Sequence, residues 1–428
     1  MSTRIALALG AVAACLRLPL ALTTPLWQDE VASARILSEH SLAGVLRHVV
    51  RTESTPPLWY VAAWLVHRAG VPVYELRLVS AFEDGVLVAL VVVLAARLMP
   101  LRLAATAGAL VAVGGEFSAE GRWIRSYELF AMLTLALAFA LLRGSVAWVA
   151  LVVAAGSLTH YFFLFVVAAA VLWIVTEQTV ARRRLLSAVA VGLIPFAVWS
   201  PWFAVQYRHH RYSWIGPFDW REVLLTPLRL FTPHGSLVAG VTAAAVCAAG
   251  AVLLSRRGPA GRLVTTLAFG PLLLAAGAWG AGIHVYADRN LIAIGPFLAI
   301  ACAAALSAVP AAVPVAVVAA ATAGFVVAQF HPGPPYDRFA HALVADGWRP
   351  GDAVAVYGNR SEYRSPLEWY LPGRPTLTKL VGRIDEPVFV VGGRRPVVDR
   401  IGVRNLRLER RLLNGAVLFA TAKTTSRS

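Results

Sequence analysis

Long apolar runs constrain this chain more than any other feature of its sequence. Stretches such as residues 5–24, 185–203 and 237–254 approach twenty residues and carry almost no charge. That is the length needed to cross a hydrocarbon core. Only 14% of the 428 residues are charged and 58% are hydrophobic, whereas soluble domains carry about 25% charged residues. A backbone in hydrocarbon must satisfy its own hydrogen bonds, so such runs read as helices. The sequence predicts an all-α polytopic membrane protein. Segments are expected at 5–24, 77–97, 103–116, 128–142, 146–159, 162–176, 185–203, 237–254, 263–281, 291–308 and 311–330, eleven in all. The first has no clear small-residue cleavage site after it and reads as a retained helix. The run 57–67, "PLWYVAAWLVH", is short for a span. It reads as an interfacial helix with Trp59, Tyr60 and Trp64 at headgroup depth.

The net charge of +16 does not imply nucleic acid. Many basic residues flank apolar segments, where they set topology and meet anionic lipid. Cys15, Cys247 and Cys302 all lie inside apolar runs, which is neither a disulfide framework nor a metal spacing.

Orientation follows from the arginines. With the N-terminus cytoplasmic, the cytoplasmic loops hold Arg97, Arg102, Arg143, Arg182–Arg184, Arg256, Arg257 and Arg262. The opposite loops hold most acids: Asp29, Glu30, Glu39, Glu53, Glu120, Asp219, Glu222 and Asp288. Eleven spans then leave the C-terminus outside, in a multi-pass plasma-membrane protein. Two domains are expected. Residues 1–330 form the membrane domain, with a first outer loop at 25–76. Residues 331–428 form a small extracytoplasmic α/β domain: "DRFAHALVADGW" reads as an amphipathic helix, and "GDAVAVYG", "PVFVVGG" and "AVLFATA" as strands. This last unit has 16 basic and 9 acidic residues and no catalytic motif. Acceptor docking, a lid or a purely structural part are its open roles.

The first outer loop carries the most pointed chemistry. Asp29–Glu30 begin it, and "EVASARILSEH" follows as a short helix with Val31, Ala34 and Ile36–Leu37 on one side. Glu53 stands just before Pro56–Pro57, whose fixed φ ends any preceding helix. Further charges gather at the same outer level: Arg125 in "WIRSYELF", His160 in "LTHYFFLF", and Asp288–Arg289 in "YADRNLIAIGP". Glu83 and Asp84 lie in the outer part of the second span. Charge near membrane depth is expensive and marks function. A carboxylate can take a proton from a hydroxyl, and a guanidinium grips phosphate oxygens bidentately. Together they point to group transfer from a lipid phosphate.

Each residue also has a plainer reading. Asp29 can be a helix cap complementing the dipole. His160 can be a neutral histidine satisfied by a carbonyl. Arg125 and Arg289 can be snorkelling arginines. Glu83 and Asp84 can pair with Arg77 or Arg122. The aromatic loop "WFAVQYRHHRYSWIGPFDW" can be an interfacial belt, and its adjacent His209 and His210 are poor joint ligands on a helix.

The pattern "PLWQDEVAS … ESTPPLWYVAAWLVHRAG … YELRLVSAFEDG" resembles the first outer loop of the family 39-type GT-C glycosyltransferases, which include protein O-mannosyltransferases and aminoarabinose lipid A transferases. "IRSYELF", "THYFFLF" and "DRNLIAIGP" fit later segments in the same order, and the resemblance covers roughly residues 5–330. It implies a polyprenyl-phosphate-sugar donor and a transfer that inverts the sugar carbon. It implies Asp29 as base, with Glu30 supporting that site or contacting the donor phosphate. Arg125 and Arg289 become candidates for the phosphate, and Glu53, His160 and Tyr127 for substrate contacts. Relatives often carry His where Thr55 stands, an acid where Trp123 stands, and Arg-Tyr at Arg289–Asn290. These departures bear on the sugar more than on the reaction class. Some relatives use a divalent metal; no metal-ligand spacing occurs here, so no cofactor is assigned and a divalent metal stays an open option. Lipid, protein and polysaccharide acceptors all fit. Lysines number only two, which suits a GC-rich bacterial genome. The alternatives are a transporter or lipid flippase, which would carry midplane sites and internal repeats, and a non-catalytic membrane scaffold.

Overall fold

The structure is a computed structural model. It describes residues 2–178, 180–208, 215–232, 236–310, 312–329, 336–345 and 348–350, and beyond these 353–356, 360–379, 389–391, 406–411 and 417–421. His209 and His210 lie outside the described residues. The chain divides into two compact units: Met1–Leu22 with Ile36–Ala328, and Thr23–Arg35 with Gln329–Ser428.

Helices in the first half are α1 (Ser2–Thr23), α2 (Gln28–Leu37), α3 (Leu42–Thr52), α4 (Leu58–Arg68), α5 (Leu76–Ala95), α6 (Leu101–Ala112), α7 (Gly115–Glu120), α8 (Tyr127–Arg143) and α9 (Val146–Thr159). Then come α10 (Phe163–Glu177), α11 (Arg182–Arg208), α12 (Trp220–Arg229), α13 (Leu237–Ser255), α14 (Pro259–Gly280), α15 (Gly295–Ala305), α16 (Ala312–Gln329), α17 (Tyr336–Ala345) and α18 (Arg360–Tyr370). A helix occupies each of the eleven expected stretches. Among the described residues six helical stretches are long and apolar enough to span: Ser2–Thr23, Val73–Ala95, Arg182–Arg208, Leu237–Ser255, Pro259–Gly280 and Asp288–Ala308. The stretch expected at 103–116 is shorter, because α6 stops at Ala112 and α7 starts after Gly114.

In the first unit α9 packs on α11, α13 on α15, and α10 on α14. Small residues permit the closest approaches. A Cβ on Gly10 of α1 would meet the Gly85 carbonyl oxygen of α5 at 2.4 Å, and one on Gly85 would meet that of Gly10 at 2.7 Å. The two backbones therefore touch where only glycine fits. The large apolar side chains Leu7, Trp148, Leu172, Val198, Val238 and Leu273 are exposed, as a lipid-facing surface requires.

Proline shapes α11. Pro195 and Pro201 lie inside it, and each removes an N–H from the helical ladder. The Ala197 carbonyl, which Pro201 leaves without its helical donor, accepts from the Ser200 hydroxyl at 2.8 Å.

A charge pair is buried among α1, α5 and α6. Arg17 of α1 meets Asp84 of α5 at 2.9 Å, both essentially without exposure, and donates to the Ala112 carbonyl at 2.8 Å. The sequence offers Arg77 or Arg122 as the partner of Asp84, but the structure selects Arg17. In sequence Arg17 looks like a lone break in the first apolar run, and nothing local connects it with a residue 67 positions away.

The second unit has a five-stranded sheet: β1 (Ala353–Val356), β2 (Thr376–Lys379), β3 (Phe389–Val391), β4 (Leu406–Arg411) and β5 (Val417–Thr421), in the order β2-β1-β3-β5-β4. β1 runs parallel to β2 and β3, while β5 is antiparallel to β3 and β4. A parallel neighbour needs a crossover, and α18 supplies it between β1 and β2. The expected strands appear as β1, β3 and β5, and the expected helix as α17. β2 and β4, "TLTK" and "LRLERR", lack an apolar run and carry no strand signal of their own. Phe339, Leu343, Trp348, Leu367, Leu371 and Leu377 build the core of this unit, with Trp27 and Tyr370 packed against it.

Candidate active site

Within the first unit the charged residues of three loops converge. α3 ends at Thr52, and the Glu53 N–H caps it by donating to the Val49 carbonyl. The buried Pro56–Pro57 pair then turns the chain into α4. This places the Glu53 carboxylate inside, 5% exposed, where Oε2 accepts from the Tyr60 hydroxyl at 2.8 Å and from Arg125 Nη1 at 3.2 Å. The Thr55 hydroxyl completes the group, 3.3 Å from that of Tyr60. Burial pushes the Tyr60 hydroxyl well up, with the Arg125 cation acting against the rise, so Tyr60 remains a donor. Tyr60 and Trp59 are buried, so both pack inside the protein.

His160 sits in the turn between α9 and α10, 4% exposed. Its ring stacks on Phe130 at 4.5 Å and lies 5.5 Å from the Tyr127 ring. Nδ1 accepts from the Phe162 N–H at 3.2 Å, which assigns the proton of the neutral ring to Nε2. Among the described residues no carbonyl accepts from this histidine, in contrast to the plainer reading. Nε2 is buried and has no hydrogen-bond partner among the described residues. Burial drives the His160 pKa down to about 3, with the Arg125 and Arg289 cations adding to the shift. His160 is therefore neutral near pH 7, and its Nε2–H is an unused buried donor. Such a donor normally has a partner, protein or otherwise.

Arg289 lies on the 3₁₀ turn Asp288–Ile294 and acts on His160 through its charge. It also opposes the rise of Glu116 on α7, which burial first and Asp288 second bring to about 7. Asp288 belongs to a different group. Arg229 of α12 lies 3.6 Å from it and also pairs with Glu222, donating from Nη2 to Oε1 at 3.1 Å.

The sequence missed Gln206, in the aromatic stretch at the end of α11. It is fully buried. Its Nε2 points at three carbonyls, of Glu53 (2.8 Å), Val49 (3.0 Å) and Thr55 (3.3 Å). Its Oε1 accepts from the Tyr161 hydroxyl, which in turn accepts from Trp199 Nε1 at 2.9 Å. Gln206 thus ties α11 to the turn that carries Glu53. Gln206→Leu removes the side-chain amide that serves these carbonyls, at a cost of about 1–3 kcal/mol. Thermal unfolding is expected to drop accordingly, with a larger fall in activity than in folded protein.

Asp29 and Glu30 belong to the second unit. They occupy the first turn of α2. Glu30 is fully buried, and its Oε2 accepts from the Trp27 N–H at 3.3 Å. That is half of a capping box, so Glu30 has the capping part that the plainer reading gave to Asp29. Asp29 is half-buried, and its carbonyl accepts from Ser33 Oγ at 3.2 Å. The segment is anchored from far along the chain: Leu26 N–H donates to the Tyr370 hydroxyl at 2.7 Å, and Arg35 meets Glu368 at 3.3 Å. Val31 and Ala34 are fully buried, as the spacing predicted.

Among the described residues no group of three or more His, Cys, Asp or Glu side chains is arranged to hold a metal ion. Among the described residues the donor set therefore offers no built site for a divalent metal.

No family profile and no curated protein sequence matches the chain. Solved structures do. ArnT from Cupriavidus metallidurans in the apo state superposes with a TM-score of 0.58 at 12% identity, over 96% of this chain and 97% of that one. The same protein bound to undecaprenyl phosphate gives 0.57 at 12% identity, over 97% and 98%. The oligosaccharyltransferase from Archaeoglobus fulgidus, in complex with Zn and sulfate, gives 0.54 at 10% identity, over 89% of this chain and 63% of that one. These are GT-C fold glycosyltransferases, and the fold of this chain is theirs.

Proposed function

We propose that this GT-C-fold chain is an integral-membrane glycosyltransferase that moves a sugar from a polyprenyl-phosphate donor to an acceptor hydroxyl. The observation that carries the reading is the buried Glu53–Arg125 pair beside a histidine whose Nε2–H has no hydrogen-bond partner among the described residues. Fold neighbours whose structures hold undecaprenyl phosphate or dolichol phosphate support the donor class.

The acceptor oxygen attacks the sugar carbon bonded to the donor phosphate, and the carbon–oxygen bond to phosphate breaks. Attack from the opposite face inverts that carbon. The acceptor proton passes to the Asp29 carboxylate, and Glu30 holds the helix turn on which Asp29 stands. The polyprenyl phosphate leaves with its electron pair. Arg125 stabilises its growing charge, Glu53 and Tyr60 keep the guanidinium in place, and Arg289 adds positive potential. His160 Nε2–H donates to a sugar or phosphate oxygen, with Tyr127 along its ring. Within the second unit Tyr370, Glu368 and the small apolar core hold Leu26, Arg35 and Trp27, and so support the Asp29 helix. We place the site on the extracytoplasmic side of a bacterial plasma membrane, with the N-terminus cytoplasmic. Radiolabel transfer from polyprenyl-phosphate sugars by membranes containing the chain, lost in Asp29→Asn, tests the proposal.

The depressed pKa of His160 fixes a pH behaviour. Between pH 3 and 6.5 the unfolded chain binds a proton at this position and the folded chain does not, so stability falls as pH falls through that window. Above pH 6.5 His160 contributes no pH dependence. Thermal unfolding at pH 7 and pH 4.5 is expected to show a smaller acid loss in His160→Phe than in the native chain. Equal acid losses would mean that the native ring takes up a proton.

A second reading, substrate movement across the membrane, has one observation in its favour. Glu128 of α8 is fully buried, and both its carboxylate oxygens lack a hydrogen-bond partner among the described residues. Buried ionisable groups mark transport pathways in other membrane proteins. Flux into vesicles without a covalent product would support that reading.

A further inference from the structure

Two cavities meet along one face of α3. The larger, about 530 Å³, is a cleft lined by Leu46, Val50, Pro195, Val198, Trp199 and Trp202, with Arg47 and Arg51 at its border. The smaller, about 390 Å³, shares those two arginines and adds Glu39, His48 and Thr52. One chamber is apolar and the other polar, and two exposed guanidiniums one helical turn apart stand where they join.

We propose that these cavities bind one anionic phospholipid of the surrounding bilayer. An acyl chain fills the cleft, the phosphate sits between Arg47 and Arg51, and a headgroup hydroxyl or amine reaches Glu39. The argument is one of matched chemistry. The cleft wall carries the stacked pair Trp199–Trp202, centroids 5.2 Å apart, and tryptophan favours the depth where chain gives way to headgroup. Arg47 and Arg51 share a helix face because residues four apart do so, and guanidinium pairs suit a phosphodiester.

Glu39 decides between lipid classes. Its carboxylate is in the polar chamber, held by His48 Nδ1 at 2.9 Å. A carboxylate there disfavours a bare phosphate monoester, which carries about −1.5 to −2 charges at neutral pH and no donor beyond its phosphate. It favours a phosphodiester whose headgroup can donate a hydrogen bond. The arginines here are exposed and separate from the buried Arg125, so the site is not the one proposed for the leaving phosphate.

The test uses the purified full chain in detergent, titrated with phosphatidylglycerol brominated on its acyl chains, and reads tryptophan quenching. A saturable quenching step is expected in the native chain. It should need about tenfold more lipid or beyond in Arg47→Gln with Arg51→Gln. Both side chains are exposed, so the fold is not at risk. Val50→Trp, which fills the cleft and leaves the arginines intact, should abolish the step. Three outcomes overturn the proposal: identical quenching in the double variant, equal quenching of the native chain by brominated diacylglycerol, or displacement of the phospholipid by equimolar undecaprenyl phosphate. The last would give the cleft to a polyprenyl chain.

Discussion

Arg125→Lys is expected to cut glycosyl transfer about 10²–10³-fold while the protein still folds. The magnitude is that of losing one preorganised charge stabiliser from a site that excludes water. Lysine keeps the charge opposite Glu53 but loses the planar fork that can hold Glu53 and a phosphate oxygen together. Arg125 is only 8% exposed, so a neutral replacement is a harsher change. Arg125→Met strands the buried Glu53 carboxylate, and removing one partner of a buried pair costs about 3–5 kcal/mol. The double variant Arg125→Met, Glu53→Gln separates the two effects. It should recover folded protein and leave transfer low. Wild-type transfer in that variant would make the pair purely structural.

The largest effect on stability is expected at Arg17→Met. The Arg17–Asp84 pair has no exposure on either side, and the same guanidinium holds the Ala112 carbonyl at the end of α6. Its loss leaves a buried carboxylate and an unserved carbonyl at the junction of three helices. A cost of about 3–5 kcal/mol follows, a large part of the roughly 5–15 kcal/mol margin of a typical protein. Little folded protein should accumulate, and thermal unfolding in detergent should shift down by many degrees. Asp84→Asn combined with Arg17→Met should restore part of that loss, because no charge then remains buried without a partner. Undiminished stability in the single variant would mean that water reaches this pair.

The sequence disclosed what depends on local pattern. Apolar runs located the membrane helices because hydrocarbon demands both length and internal hydrogen bonding. The Pro pair announced the turn that fixes Glu53, and the charges of "IRSYELF" and "LTHYFFLF" announced Arg125 and His160. It hid what depends on distant partners. Gln206 looks like one polar residue in an aromatic belt, and only folding brings its amide to carbonyls more than 150 positions away. Arg17 looks like a flaw in an apolar helix. Residues 23–35 read as the start of a membrane-domain loop, yet they cluster with the C-terminal unit through contacts such as Leu26 to Tyr370, 344 positions apart. β2 and β4 escaped because a strand in a small sheet takes its stability from cross-strand neighbours rather than from its own composition.

The most direct test of the central claim is a transfer assay with the chain in membranes. Radiolabelled polyprenyl-phosphate sugars are supplied one at a time, to the native chain and to Asp29→Asn. The account predicts that one sugar passes to an acceptor with release of polyprenyl phosphate, and that Asp29→Asn, though folded, does not support it. If no donor is consumed by the native chain while label crosses the membrane unchanged, the chain is a transporter and the account is wrong. If both proteins transfer the sugar equally, the chemistry stands but Asp29 is not its base.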